Sequence, residues 1–137
     1  MLSLRYSTSW RLTGYLLLLL VLAAALVPPH WFRLHGLSSH IANLDKWLHG
    51  ITFAVLALWF SGQYARHSYW RLVVGLAAFG LVLEVAQRTV SYRTADWMDL
   101  AADLAGVALG MAIALAGLGG WCLRFEDWLQ YRGTASR

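Results

Sequence analysis

The side chains of this chain that could do chemistry gather in three short segments, each beside a long apolar run. The members are Asp45, Lys46 and His49 at the start of the second run, Glu84, Gln87 and Arg88 at the end of the third, and Arg93, Asp96, Asp99 and Asp103 around the start of the fourth. A histidine beside carboxylates is suited to general acid or base catalysis, and arginine or lysine can stabilise the charge of a phosphate.

Within the first two segments the spacing places the polar residues on one face of a helix. Asp45 and His49 are four residues apart, and Glu84 and Gln87 are three apart, so each pair forms neighbours on a helix surface. We therefore expect His49 to be the catalytic acid or base if the protein is an enzyme. Asp45 or Asp99 would orient it, and Glu84 would be a partner acid.

The third segment continues into a stripe of small residues. Asp96, Asp99 and Asp103 follow the i, i+3, i+7 pattern of one helix face, and Gly106 and Gly110 extend that face. Small residues four apart permit close approach of helices in a membrane. The pattern predicts that the acids face other helices instead of lipid, and it also makes this face a candidate contact for an oligomer.

A purely structural explanation of the same residues stays open. Acids near helix N-termini, such as Asp45 and Asp99, and a cation near a C-terminus, such as Arg88, are stabilised by the helix dipole. Glu84 and Asp103 fit this explanation less well, because each lies about one turn inside its run, where an unpaired acid costs roughly 2.5 kcal/mol or more. A metal site is not predicted, since one histidine among acids is a weak ligand signature.

The elements that position these residues are predicted to be transmembrane helices. The chain has 137 residues, of which 59% are hydrophobic and 13% charged, and that balance is typical of a membrane protein. At about 20 residues per span, one domain over residues 1–137 accommodates about four spans. The net charge of +4 comes from scattered arginines without a basic run, so nucleic acid is not an expected partner. The single cysteine, Cys122, excludes an internal disulfide.

The apolar runs and their flanks predict an all-α fold. The predicted spans are residues 12–27, 47–64, 70–87 and 100–122. Short connections between them predict a four-helix bundle, and the first run with Arg5 and Arg11 before it also has features of a signal peptide. Three further apolar segments favour an uncleaved first span. A short amphipathic helix is expected to lie on the membrane surface after the bundle, with an apolar face of Trp121, Phe125, Trp128 and Leu129.

The basic residues predict the orientation of these spans. One side has seven of them: Arg5, Arg11, Arg66, Arg71, Arg124, Arg132 and Arg137. The other side has four: Arg33, Lys46, Arg88 and Arg93. By the positive-inside rule both termini are predicted to be cytoplasmic, and the polar segments to face outward.

In this order and spacing the three polar segments resemble the motifs of the VanZ-like family. The segments read DKWLH from residue 45, EVAQ from residue 84 followed by Arg93, and DWMDLAADLAG from residue 96. The family pattern is D-K-x-x-H, then E-x-x-Q, R, and D-x-x-D-x-x-x-N-x-x-G. The resemblance covers about residues 45–110, and Asp103 stands where the family usually has asparagine. It implies a small multi-span protein of the bacterial inner membrane, linked in some members to lower susceptibility to lipid-tailed glycopeptides such as teicoplanin.

Two classes of function follow. In the first, the protein binds or modifies a lipid head group or a lipid-linked cell-wall precursor in an outward-facing pocket. The binding residues would be Lys46, Gln87, Arg88, Arg93, Asp96 and Asp103. In the second, it is a membrane hydrolase or transferase acting on a lipid-linked phosphate, with His49 as the acid or base. Proton-coupled transport is a third alternative that would require an oligomer, and no cofactor is identified by the sequence.

Overall fold

The computed structural model describes residues 2–27, 44–90 and 96–135, and the regular structure in these ranges is entirely helical. The α-helices are α1 (Ser7–Leu26), α2 (Leu44–Ser61), α3 (Tyr69–Arg88), α4 (Trp97–Ile113) and α5 (Trp121–Ala135). A short 3-10 turn, Arg66–Ser68, leads into α3, and a π-helical turn, Ala114–Leu118, follows α4. The predicted all-α class is confirmed.

Within the described ranges, three helical segments are long and apolar enough to cross a membrane: Ser7–Leu26, Arg66–Arg88 and Trp97–Leu118. They correspond to the first, third and fourth predicted spans. Helix α2 has 18 residues, but its first two turns contain Asp45, Lys46 and His49, which make it less apolar than the other three. Three of the four predicted spans therefore correspond to helices that could cross a membrane by their length and composition.

Helices α2 and α4 run in the same direction and pack closely along their length. A Cβ atom added to Gly106 would collide with the backbone oxygen of Gly50, and one added to Gly110 would lie 2.5 Å from the oxygen of Ala54. The glycine stripe thus marks the packing face of α4, as predicted. Because α2 of the same chain covers that face, an oligomer contact there would require α2 to move.

Apolar side chains from α2, α3 and α4 form the centre of the fold. The buried members include Phe53, Leu56, Leu76, Leu83, Val107 and Met111. Leu17, Leu18 and Val21 of α1 pack against this core from outside. The core holds the starts of α2 and α4 level with the end of α3.

The last predicted span ends earlier in the structure than the sequence predicts. The sequence predicts one helix over residues 100–122, whereas α4 begins at Trp97 and the chain leaves helical geometry at Gly117, where φ is +143°. Gly120 also has a positive φ, of +70°. Glycine adopts such angles without a steric penalty, so the backbone turns here and a separate helix, α5, begins at Trp121.

Helix α5 is present as predicted, but its most buried residues are not the predicted apolar ones. Cys122 and Glu126 are 0% and 3% exposed, whereas Phe125 and Trp128 are more than 40% exposed. Cys122 and Glu126 are one turn apart and face the rest of the protein. The sequence did not single out Glu126, because a lone acid in a polar helix usually lies on its solvated face.

Two ends of the molecule can therefore be distinguished. The acidic end contains the described side chains of the three polar segments: Asp45, Lys46, His49, Glu84, Gln87, Arg88, Asp96, Asp99 and Asp103. The tryptophan end contains Trp10, Trp59, Trp121 and Phe125, whose neighbouring ring centroids are 5.3 to 6.1 Å apart.

Candidate functional site

The acidic end is formed where α1 and α3 finish and α2 and α4 begin. The side-chain amide of Gln87, near the end of α3, donates a hydrogen bond to the backbone oxygen of Ala25 on α1, at 3.2 Å. Asp96 caps the start of α4 by accepting a hydrogen bond from the Met98 amide at 2.9 Å. The first contact links the end of α3 to the end of α1, and the second caps the start of α4.

Lys46 is the cation that links α2 to α4. Its Nζ lies 2.8 Å from Asp96 Oδ2, 3.3 Å from Asp99 Oδ1 and 3.5 Å from Asp45 Oδ2. An ammonium group has three N–H donors, and these three carboxylates account for all of them. The hydrogen bond from Lys46, with that from the Met98 amide, holds the pKa of Asp96 below its ordinary value of 3.8.

His49 is paired with Asp103. The Nδ1 atom of His49 lies 2.9 Å from Oδ1 of Asp103, and the two side chains are 15% and 3% exposed. From the sequence, Asp45 or Asp99 was expected to be the acid that orients this histidine, whereas the carboxylate that lies on Nδ1 is Asp103. The parallel register of α2 and α4 sets Lys46 beside Asp99 and brings His49, one turn further along, level with Asp103.

Asp103 also occupies space that α3 leaves for it. A Cβ atom on Gly80 would lie 3.0 Å from Oδ2 of Asp103. The missing side chain at Gly80 therefore lets the carboxylate of Asp103 lie between three helices. Gly80 was not among the predicted site residues, although it lies four residues before Glu84 on the same face of α3.

Glu84 is a buried carboxylate at the acidic end that accepts no hydrogen bond at one of its oxygens within the described part of the chain. Its residue exposure is 3%, and its Oε1 atom accepts no hydrogen bond from any residue that the structure describes. The nearest cation is Arg88, whose Nη2 is 4.0 Å away and whose side chain is half exposed. The Arg88 guanidinium lies over the Trp97 ring, 5.2 Å from its centroid.

Nine of the ten predicted site residues are described, and all nine lie at the acidic end. Glu84, Gln87, Asp99 and Asp103 are buried, whereas Asp45 and Asp96 lie at the rim with about half of each side chain exposed. Arg93 lies outside the described residues. Within the described ranges, no three His, Cys, Asp or Glu side chains converge as ligands of a metal ion.

Acidic side chains outnumber basic ones among these nine residues. Five carboxylates (Asp45, Glu84, Asp96, Asp99 and Asp103) stand beside two permanent cations, Lys46 and Arg88. A buried charge is tolerated only when it is paired or hydrogen-bonded. Lys46 and His49 supply that pairing for Asp99 and Asp103, so Glu84 is the member that requires a donor.

A second buried acid lies at the tryptophan end. Glu126 of α5 accepts hydrogen bonds from the Arg5 amide (2.8 Å), the Tyr6 amide (3.0 Å) and the Trp10 indole (2.8 Å). Burial alone would raise the pKa of Glu126, but these three donors together lower it. Through these hydrogen bonds Glu126 links α5 to the start of α1. Burial beside it raises the pKa of the Cys122 thiol to about 12.

Comparison with known proteins agrees with the sequence motifs. The family described as VanZ/LLP1 matches residues 3–119. No curated protein matches the chain, and no solved structure matches it. The matched range includes all of α1 to α4, and with them every residue of the acidic end.

Proposed function

Because the chain belongs to the VanZ/LLP1 family, we propose that it is a multi-pass protein of the bacterial inner membrane that binds a head group at its acidic end. The head group would belong to a membrane lipid or a lipid-linked cell-wall precursor. The acidic end would face the outer surface, and both termini would be cytoplasmic.

The observation that carries this proposal is the burial of charge at one end of a membrane protein. Glu84, Asp99 and Asp103 are each less than 9% exposed. Ionisable residues at such positions are costly in a membrane and usually serve a function. Two of the three, Asp99 and Asp103, contact Lys46 and His49 of α2, and these contacts hold the acids in place without a ligand.

We propose α2 as the fourth span of a four-helix bundle. Its 18 residues extend about 27 Å at 1.5 Å per residue, close to the roughly 30 Å of a bilayer core. It shares the direction of α4 and its close contact at Gly106. Helix α5 would then lie at the inner surface with Phe125 and Trp128 toward the lipid.

A hydrolase or transferase acting on a lipid-linked phosphate is the second candidate, favoured by the contact between His49 and Asp103. A carboxylate on Nδ1 fixes the orientation and tautomer of an imidazole and makes Nε2 its basic nitrogen. In this case His49 is the acid or base, and Asp103 is its positioning residue.

The two candidates are separated by mass spectrometry of lipids and lipid-linked precursors from cells that make the protein. Wild type is compared with His49→Gln at matched membrane level, and with Asp127→Asn, an exposed acid of α5, as control. A species whose mass changes with wild type and the control but not with His49→Gln identifies an enzyme. If no mass changes and a lipid copurifies with wild type and His49→Gln alike, the protein is a binder.

We further propose that occupation of this outer site lowers susceptibility to lipid-tailed glycopeptides such as teicoplanin. The support is the family membership, and the proposal depends on the proposed outward orientation of the acidic end. The test is the inhibitory concentration of teicoplanin for cells making wild type or Glu84→Gln at equal level. Equal susceptibility of cells with wild type and cells without the protein would contradict this proposal.

A further inference from the structure

The cations of the acidic end are already committed to partners within the protein. The three N–H donors of Lys46 point to Asp45, Asp96 and Asp99, at 3.5, 2.8 and 3.3 Å. A phosphate that approached Lys46 would have to displace one of these carboxylates and would meet the remaining two at close range. Lys46 is therefore placed to hold the acids together and not to bind an anion.

Arg88 is held by an aromatic ring and not by a carboxylate. Its guanidinium lies over the face of Trp97 and stops 4.0 Å from Glu84 Oε1, beyond hydrogen-bond distance. A cation over an aromatic face is attracted by the ring, so Trp97 holds Arg88 at the rim. The buried carboxylate of Glu84 is left with a neighbouring charge but without a donor among the described side chains.

The oxygen of Glu84 that lacks a donor among the described residues indicates which chemical group a ligand must bring. A buried carboxylate oxygen needs a hydrogen-bond donor, and a cationic donor serves best because it also balances the charge. A metal ion would need several converging ligands, which the described residues do not supply. A primary ammonium brings three N–H donors on one atom, whereas a quaternary ammonium brings none.

We infer that the head group bound at the acidic end carries a primary ammonium, which donates a hydrogen bond to Glu84. This inference rests on the proposed head-group binding and specifies which type of head group the site selects. The amine of an aminophospholipid and a free primary amine share that chemistry. The site then prefers phosphatidylethanolamine to phosphatidylcholine, although both carry the same phosphate, and prefers it to the anionic phosphatidylglycerol.

The experiment uses the full chain in nanodiscs that contain phosphatidylethanolamine, phosphatidylcholine and phosphatidylglycerol in equal amounts. After gentle transfer to detergent, the retained lipids are measured by mass spectrometry. We expect wild type to retain phosphatidylethanolamine about tenfold over either other lipid, a ratio that corresponds to 1.4 kcal/mol. Glu84→Gln keeps the size of the side chain but loses its charge, and it should lose the selection. The control Asp127→Asn should keep it.

A second measurement needs no variant and so does not depend on the folding of Glu84→Gln. Wild type is offered phosphatidylethanolamine carrying zero, one, two or three N-methyl groups, the last being phosphatidylcholine. Retention should fall as N–H donors are removed, with the largest loss at the third methyl group. Equal retention of all four lipids would overturn the inference.

The remaining outcomes separate the inference from the function on which it rests. Preferential retention of phosphatidylglycerol would overturn the inference that the site selects a primary ammonium, but it would still support head-group binding. Retention of no lipid, together with no binding of free ethanolamine, would overturn both. Binding of ethanolamine in nanodiscs of phosphatidylglycerol alone, abolished by Glu84→Gln, supports the ammonium and assigns it to a soluble amine.

Discussion

At the scale of the residue, helical spacing predicted which side chains gather but not which of them touch. The separation of Asp45 from His49, and of Glu84 from Gln87, is fixed by helix geometry within one element. The partner of His49 depends on how far α2 is shifted along α4, and the glycine contacts that set this shift involve two distant parts of the sequence. Asp103 was therefore assigned to binding, although it is the partner of His49.

Lys46 provides the first test at this scale. Lys46→Met keeps much of the side-chain volume and leaves Asp96 and Asp99 without their shared cation. Since Lys46 and Asp99 are only 24% and 9% exposed, we expect a measurable loss in the free energy of unfolding that is smaller than the roughly 3–5 kcal/mol of a fully buried pair. The measurement is denaturant unfolding in detergent micelles. Addition of Asp99→Asn should recover part of the loss, and a double variant less stable than Lys46→Met would contradict this explanation.

At the scale of the element, glycine has two separate roles that sequence alone did not distinguish. Gly106 and Gly110 allow α2 to approach α4, which the spacing of small residues predicted. Gly117 ends the helical path by its positive φ. The segment after Gly110 is rich in glycine and alanine throughout, so the apolar pattern predicted that the span ends at residue 122, whereas the helical segment ends at Leu118 and α5 begins at Trp121.

Gly106→Ala should disrupt the closest helix contact. The added methyl group meets the backbone of Gly50, which cannot move without separating α2 from α4, so we expect a loss of about 3 kcal/mol or more. Gly75→Ala is the matched control, because nothing lies within 4 Å of its added Cβ and alanine favours a helix by about 0.5–1 kcal/mol. Thermal unfolding in detergent measures both variants. Equal stability of the two would show that α2 and α4 do not pack as described.

The attachment of α5 by Glu126 should depend on pH. Because the folded state lowers the pKa of Glu126 below its ordinary 4.5, the carboxylate stabilises the protein above pH 4.5, and this contribution is lost as pH falls through the lower folded value. Glu126→Gln should therefore unfold earlier than wild type at pH 7, by about 2 kcal/mol, and the difference should shrink below pH 4.5. Unfolding midpoints between pH 7 and pH 3 measure this effect, with Asp127→Asn as control. A difference that is unchanged at pH 3 would assign the contribution of Glu126 to packing.

At the scale of the whole molecule, the apolar runs predicted a membrane protein with four spans, and three of the four match helices of the described residues that are long and apolar enough to cross a bilayer. Helix α2 is harder to assign, since the residues that form the site also reduce its apolar character. In α2 the polar residues that form the site lower the hydropathy on which the assignment of a span depends. The contacts of α2 with α4, which only the structure shows, support its placement as the fourth span.

The orientation of the protein is tested by cysteine accessibility in intact cells. Cys122 is 0% exposed and should not react with the thiol reagent from either side of the membrane, so the native cysteine adds no background labelling. Thr89→Cys, just after α3 at the acidic end, should be labelled by a membrane-impermeant thiol reagent, whereas Tyr131→Cys on α5 should be labelled only after the membrane is opened. Both positions are exposed. The reverse pattern would place the acidic end in the cytoplasm.

The central claim is that a head group binds at the acidic end and not elsewhere along the helices. The most direct measurement is photocrosslinking in a bilayer with a phospholipid that has a diazirine in its head group, followed by mapping of the modified peptides. We predict modification of the first turns of α2 and α4 and the last turn of α3, reduced by excess phosphatidylethanolamine. Modification confined to the tryptophan end, or spread evenly and unaffected by competitor, would contradict the claim.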